Sequence, residues 1–417
     1  MELEKYSLGI GDRFGFQCAA QLRSVQKAEA KGIRISPVWN KSHREHLIAG
    51  TVPEHQKNAA DEAVRICGWP NRYFVDADHI GLANVDAFLP FSNFFTIDVA
   101  DFIGKPATDN CTASFLDATA RLKTPLKIEG IRGPVRITDS VLFDFAQKYL
   151  HAVAEAGKVY RYIVERKGTG QFITEISADE AQTAQTPVEL LLLLAAIGME
   201  GIPVQTIAPK FTGSFLKGSD YVGDLRQFAG EFRDDLAVIA FAVANFNLPQ
   251  NLKLSIHTGS DKFSLYPIMH RAIKSADAGI HLKTAGTTWL EELAGIAASG
   301  GAGLAFAKEI YTEAYQRYDE LCKPYLAVIH IDKKQLPEPA QAASWSAEEF
   351  VLALRHDMPC RTCNVHLRQL LHVGFRVAAE KSARFADMIR ECRGIIEANV
   401  TGNLYEKHIV PLFLGSD

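Results

Sequence analysis

The sequence predicts an α/β protein, a (β/α)8 TIM-type barrel with a helical insertion and a C-terminal helical extension. Three observations predict it. Short apolar runs alternate with helical runs over most of the 417 residues, a length that barrels with insertions reach. Polar and titratable residues recur at the carboxyl ends of these runs, where a barrel gathers its ligand-binding groups. A doubly wound sheet would open on a phosphate-binding turn, but Gly9-Ile10-Gly11-Asp12-Arg13-Phe14-Gly15 breaks the dinucleotide spacing.

Tyr6–Gly11 is the first expected strand and leads to Asp12 and Arg13. Ala19–Lys31 reads as helix, Ile33–Trp39 as the second strand, and His55–Cys67 as helix. Arg72–Val75 runs into Asp76-Ala77-Asp78-His79, and Phe94–Val99 carries Asp98. From about residue 104 to 168 the strand pattern stops. Leu142, Phe145, Tyr149 and Val153 recur there at helical spacing, so a helical insertion covering the barrel mouth is expected. No Gly/Ser- or Pro-rich tract isolates it, so residues 1–417 read as a single domain. Phe172–Ile176 brings Glu175, with Asp179 just beyond. Thr186-Pro187-Val188-Glu189 reads as a capping box opening a buried helix to Met199. Ile202–Ala208 ends at Lys210, and Gly218–Asn247 reads as helix. Two strand–loop–helix units between Leu252 and Trp289 then deliver His257 with Lys262, and His281 with Lys283. Beyond them Leu304–Leu321 and Ala347–Arg355 read as helices, Tyr325–Ile331 and Arg368–Gly374 as strands, and Phe385–Val400 as one closing helix.

Composition narrows the function classes. A net charge of -4 with interspersed signs gives no footprint for nucleic acid. The longest apolar run, Leu190–Ile197, is too short to span a bilayer, and the N-terminal stretch lacks a signal-peptide core. Seven scattered cysteines, an odd number, point to reduced thiols and a cytoplasmic protein.

Three groups at strand ends carry chemistry. His79, Glu175, His257 and His281 would converge on one mouth if their strands close a barrel. Imidazole and carboxylate are ligands of zinc, manganese, nickel or cobalt; a single histidine in such a place is more often packed or hydrogen-bonded locally, and it is the four together that balance the two readings. Lys210, Lys262, Lys283 and Arg368 form a cationic set suited to an anionic substrate, or alternatively a set of solvated charges. Asp76, Asp78, Asp179 and Asp261 could exchange protons, orient a ligating histidine, or cap loops. Ser260 and Thr284 sit in the loops after His257 and His281 and are further substrate contacts, and His372 is a substrate contact or a core histidine. A rival metal motif, His356-x3-Cys360-x2-Cys363-x2-His366, has spacing that structural zinc uses.

Several stretches together resemble the tagaturonate epimerase family. They are Tyr73-Phe-Val-Asp76-Ala-Asp78-His79-Ile-Gly-Leu, Phe94-Phe-Thr-Ile-Asp98-Val-Ala-Asp101-Phe-Ile-Gly104, Ala208-Pro-Lys210-Phe, Lys253-Leu-Ser-Ile-His257-Thr-Gly-Ser-Asp261-Lys262-Phe-Ser and His281-Leu-Lys283-Thr-Ala-Gly-Thr-Thr-Trp. The resemblance implies a metal-dependent barrel enzyme interconverting tagaturonate and fructuronate, keto sugar acids that differ at the carbon β to the ketone. It implies His79, Glu175, His257 and His281 as metal ligands. Asp179 and Lys210 then become the expected proton-transfer groups, with Asp76 as the alternative. The expected partner is a small keto sugar acid, with homo-oligomerisation open. A metal-dependent sugar-acid aldolase or isomerase, and a non-catalytic sugar-acid-binding barrel, are the competing readings.

Overall fold

The structure is a computed structural model that describes residues 1–284, 287–356 and 363–415. Eight parallel strands close a barrel in sequence order: β1 Tyr6–Gly11, β2 Ile35–Ser42, β3 Phe74–Ile80, β4 Phe94–Asp98, β5 Ile173–Ser177, β6 Thr206–Ala208, β7 Lys253–His257 and β8 Ile280–Thr284. β8 returns to β1, with His281 opposite Ser7. Helices join successive strands, as crossovers between parallel neighbours require, with only a short 3-10 turn, Val85–Ala87, between β3 and β4. Helix Pro187–Met199 starts with the predicted capping box, and its residues Leu190 to Ile197 are all buried between strand and outer helices. Among the described residues, no helix is long and apolar enough to cross a membrane.

Alternation along the strands divides the interior. Val38, Phe74, Phe94 and Ile173, on β2 to β5, meet Leu3 in a small apolar cluster separate from the main core. It floors one side of the barrel. The facing strands instead bury polar residues: Thr206, Ser255, His281 and Ser7 are each fully buried. A hydrophobic floor under a polar upper interior supplies a rigid base for charged groups at the strands' carboxyl ends.

Three expectations change. Tyr325–Ile331 and Arg368–Gly374 are not strands. A closed eight-stranded barrel leaves no edge to accept another strand. Arg368 lies instead in helix Val365–Val373, capped by Asn364, whose Leu367, Leu370 and Leu371 follow helical spacing and are buried. The closing helix is two, Ser382–Glu391 and Arg393–Gly402. The segment after β4 also does not cover the mouth. Its long helix Asp139–Lys167 packs on helices Asp109–Thr119 and Pro187–Met199 in the outer ring. No residue between 104 and 168 lines the mouth cavity, whereas Pro324, Ala327 and Val328 of the C-terminal extension do.

Candidate metal centre and active site

β3 carries the decisive local distortion. Strict alternation would send Asp76 and Asp78 inward and His79 outward. The β3–β4 register shifts between Ala77 and Ile80, and His79 takes a left-handed backbone with φ 53°. Such a conformation is unfavourable for a residue with a Cβ, and a bulge re-aims a side chain. Here it turns the imidazole into the mouth, so that neighbours Asp78 and His79 both line the cavity.

His79, Asp179 and His257 offer one ligand atom each within 4.8 Å of one another. His79 Nε2 lies 3.3 Å from Asp179 Oδ1, and His257 Nδ1 lies 3.1 Å from Asp179 Oδ2. The other nitrogen of each ring is held by a different carboxylate. Asp78 Oδ1 is 3.0 Å from His79 Nδ1, and Glu175 Oε1 is 2.9 Å from His257 Nε2. One ring nitrogen facing the centre, with the other donating to a carboxylate behind it, is how metal-ligating histidines are oriented. His257 Nδ1 is buried and faces Asp179 Oδ2 across the centre. That donor set fits a metal, since two imidazoles with one carboxylate leave coordination positions open for substrate.

Lys283 organises the carboxylates behind this centre. Its ammonium lies 2.7 Å from Asp76 Oδ2, 2.8 Å from Asp78 Oδ1, 2.8 Å from Glu175 Oε1 and 2.6 Å from Thr96 Oγ1. Burial opposes its charge, but Asp76, Asp78 and Glu175 hold its pKa well above the ordinary lysine value. Gly9 makes this packing possible, since a Cβ there would stand 2.6 Å from Lys283 Cγ. One lysine does not balance Asp76, Asp78, Glu175 and Asp179. Burial lifts Asp76 to about 6, against the pull of Lys283. Burial disfavours imidazolium at His79, yet Asp78 and Asp179 hold its pKa well above 6.5; at His257 Asp179 likewise outweighs burial, giving about 9. The protons these rings retain compensate excess negative charge, which a divalent cation would compensate in their place.

The remaining expected site residues fall into two sets. Glu175 and His281 do not join the cluster of ligand atoms. Glu175 stands behind His257. His281 lies two residues below Lys283 on β8, its Nδ1 2.8 Å from Ser7 Oγ and its ring 5.5 Å from that of Phe94. Burial lowers its pKa to about 3, so it stays neutral. Asp76 is fully buried beneath Lys283 and does not line the cavity. Lys210 does line it, its ammonium donating to the Ala181 carbonyl at 2.6 Å.

Ser260, Asp261, Lys262, Thr284, Arg368 and His372 do not line the cavity; they fasten its walls. Lys262 donates to the Leu216 and Ser219 carbonyls at 3.0 and 2.8 Å, and Ser260 Oγ accepts from Gly218 N–H at 2.9 Å. These bonds shape the loop after β6 whose Leu216 and Lys217 face the cavity. Asp261 accepts from Arg368 at 2.5 Å and Thr287 at 2.8 Å, and the latter residue stands 3.4 Å from Thr284. Arg368 also donates to the Leu354 carbonyl at 2.6 Å, tying the C-terminal helices to the barrel. His372 accepts from Arg13 through its carbonyl at 2.6 Å. Cys360 of the rival zinc motif lies outside the described residues. His356 stacks on Phe263 with centroids 4.8 Å apart, while His366 Nδ1 accepts from Asp332 N–H at 3.1 Å.

The cavity itself measures about 890 Å³. It also presents Asn40, Arg44, Asp98 and Lys217, which sequence patterning did not select. Lys217 was hidden at the edge of an expected helix that in fact begins at Leu225. The signal was the pair Gly213 and Gly218, with φ of 81° and 73°, which punctuate a loop.

Comparison with known proteins shows the family and the fold. A family model described as tagaturonate epimerase matches residues 1–393. A protein of Thermotoga maritima named tagaturonate/fructuronate epimerase is 27% identical over 381 residues, covering 88% of this chain and 72% of that one. The crystal structure of a fructuronate-tagaturonate epimerase from Cohnella laeviribosi with one glycerol superposes with a TM-score of 0.82 at 22% identity, covering 99% of this chain and 82% of the other. Its native form gives 0.79 at the same identity and coverage. The family match spans nearly the whole barrel and its C-terminal extension, and the chain belongs to the tagaturonate epimerase family.

Proposed function

We propose that the chain interconverts D-tagaturonate and D-fructuronate, inverting the carbon β to the ketone, with a divalent ion held by His79, Asp179 and His257. The observation that carries this reading is the two-imidazole, one-carboxylate cluster at the barrel mouth, each imidazole backed by its own carboxylate. Membership of the family and the name of the Thermotoga maritima relative support the substrate pair. Zinc, manganese, nickel and cobalt all accept this donor set. When bound, such an ion supplies Lewis-acid polarisation of a carbonyl and charge stabilisation of an oxyanion.

The hydrogen on the inverted carbon is not acidified by the ketone. Inversion therefore goes by retro-aldol cleavage and re-addition, or by proton exchange after the carbonyl migrates. In the first route the hydroxyl on the inverted carbon gives its proton to a base as the neighbouring carbon–carbon bond breaks. An aldehyde and an enediolate form. Re-addition to the other aldehyde face, with return of the proton, completes the inversion. Both routes need a proton-exchanging group that faces the cavity outside the ligand cluster. Asp98 and Lys210 meet that requirement, whereas Asp78 is held between His79 and Lys283. One Asp98 oxygen accepts from Ala100 N–H at 2.9 Å, and burial pushes its carboxyl above the usual range although His79 opposes this. A carboxyl pKa raised by burial is shifted in the direction that proton exchange favours.

A cytoplasmic setting is consistent with Cys18, Cys67, Cys111, Cys322 and Cys392, none of which is in a disulfide. The test is elemental analysis of the purified protein together with turnover of tagaturonate before and after chelation. An epimerase gives one product of equal mass, an aldolase two fragments, and a binding barrel neither. Full turnover by a metal-free, chelator-indifferent protein would overturn the metal assignment.

A further inference from the structure

Among the described residues, four lysine and arginine side chains line the cavity: Arg44, Lys210, Lys217 and Lys283. Lys283 is neutralised by three carboxylates. Lys210 is tethered to the Ala181 carbonyl, two residues beyond Asp179, at the metal-centre end. Lys217 differs. Among the described residues no carboxylate lies within ion-pair distance of its ammonium. Its ammonium stands 5.9 Å from the centroid of the Tyr325 ring, with Glu45 and Glu180 acting on it from beyond ion-pair distance. The Arg44 guanidinium approaches the same ring at 5.4 Å, and its Glu180 contact is long, 3.9 Å between half-exposed side chains. Glu45, also at this wall, is engaged by Arg13 at 3.4 Å and by its own helix cap at Ser42.

Two cations from separate elements, the helix after β2 and the loop after β6, thus converge on one aromatic ring supplied by the C-terminal extension. The backbone holds them there: Lys217 N–H donates to the Val328 carbonyl at 2.8 Å, joining the loop to the segment that carries Tyr325. Bringing two positive groups together beside a half-buried wall is unfavourable unless an anion joins them. Lysine and arginine are the residues that bind carboxylates, arginine through a planar fork.

We propose that Lys217, with Arg44 beside it across the Tyr325 ring, forms the subsite for the substrate's carboxylate. This rests on the reading of the cavity as a keto-sugar-acid epimerase site. In such a substrate the carboxylate and the ketone occupy opposite parts of one carbon chain, with the inverted carbon between. A carboxylate at Lys217 directs the ketone end to His79, Asp179 and His257. On the retro-aldol route the carboxylate also belongs to the aldehyde fragment. An anchor at Lys217 then retains that fragment while its carbonyl presents its other face. The subsite gives selectivity for acids over neutral ketoses.

The experiment compares Lys217→Gln, Arg44→Gln and Lys217→Arg with the wild type in the metal-loaded enzyme. Turnover of tagaturonate and of tagatose, its neutral counterpart, is measured for each, and thermal midpoints confirm folding. For Lys217→Gln the kcat/KM on tagaturonate is expected to fall about tenfold to a hundredfold, the loss of a charge-assisted hydrogen bond. The fall is expected mainly in KM, with less than a threefold change on tagatose and partial rescue in Lys217→Arg. Arg44→Gln follows the same pattern more weakly. Equal losses on both sugars, or none on tagaturonate, would overturn the subsite. Calorimetric binding of D-galacturonate and sorbitol reads the same subsite without turnover. If the wild type turns over neither ketose, the epimerase reading fails. A selective tenfold loss of galacturonate affinity in Lys217→Gln would still support the subsite, and unchanged affinity would overturn it.

Discussion

His257 donates from Nε2 to Glu175 Oε1 at 2.9 Å, and the same carboxylate oxygen stands 2.8 Å from the Lys283 ammonium. Glu175 therefore orients His257, a ligand in the proposed metal centre, while Lys283 holds Glu175. The sequence places both residues at strand ends, but only this chain of contacts separates a metal-facing residue from one behind it. It predicts graded effects on metal content. Asp179→Asn and His79→Ala should bring bound metal, by elemental analysis, close to zero. Glu175→Gln should weaken affinity about 10- to 100-fold, and His281→Asn should leave stoichiometry intact. Loss of the ion in His281→Asn alone would restore the ligand set expected from sequence.

Removing Lys283 should be costly. Lys283→Met leaves Asp76, Asp78 and Glu175 facing one another without a cation, and breaking a buried pair in this way costs about 3–5 kcal/mol. The freed carboxylates would have folded-state pKa values above their unfolded ones. The variant's stability should then rise as pH falls from 7 towards 5, visible in denaturant midpoints. A variant as stable as wild type at pH 7 would contradict the hub.

The Asp261–Arg368 pair should act on structure before substrate. Both side chains are almost fully buried, and Arg368 lies outside the cavity. Arg368→Met should destabilise by about 3–5 kcal/mol, with proteolysis beginning in the C-terminal extension. An unchanged melting temperature combined with a raised KM would reassign Arg368 to substrate.

Lys253, on β7 at the barrel floor, gives a pH signature away from His79, Asp179 and His257. Its ammonium donates to the Glu4 carbonyl, and burial lowers its pKa from 10.5 to about 7. The unfolded lysine therefore binds more protons between pH 7 and about 10.4, and its contribution to stability rises with pH across that window. It is fully present above the unfolded pKa and lost as pH falls through about 7. Wild type should gain about 2–4 kcal/mol relative to Lys253→Met between pH 7 and 10. A pH-independent difference in their denaturant midpoints would show that Lys253 titrates normally.

Asp98 and Lys210 should affect turnover more than metal. Asp98→Asn and Lys210→Met are each expected to lower kcat by about 10²- to 10⁴-fold, the range of a lost proton-transfer group, with metal stoichiometry retained. Full activity in both would eliminate this pair.

The sequence by itself determined the barrel and placed His79, Glu175, Asp179, His257 and His281 at or just beyond strand ends; that His79, Asp179 and His257 are the three brought together is seen only in the structure. The barrel and the strand-end placements follow from local pattern: apolar runs of strand length, caps such as Thr186, and polar residues where parallel strands finish. Tertiary structure decided the role of each group. Alternation along β3 cannot announce the bulge that turns His79 inward, because register is fixed by pairing with β4. Nor can residue type tell a substrate lysine from a structural one. Lys262, Lys283 and Lys217 look alike in sequence, yet carbonyls surround the first, carboxylates the second, and no carboxylate among the described residues pairs with the third. A charge acquires its function from the groups that compensate it, and those come from distant parts of the chain.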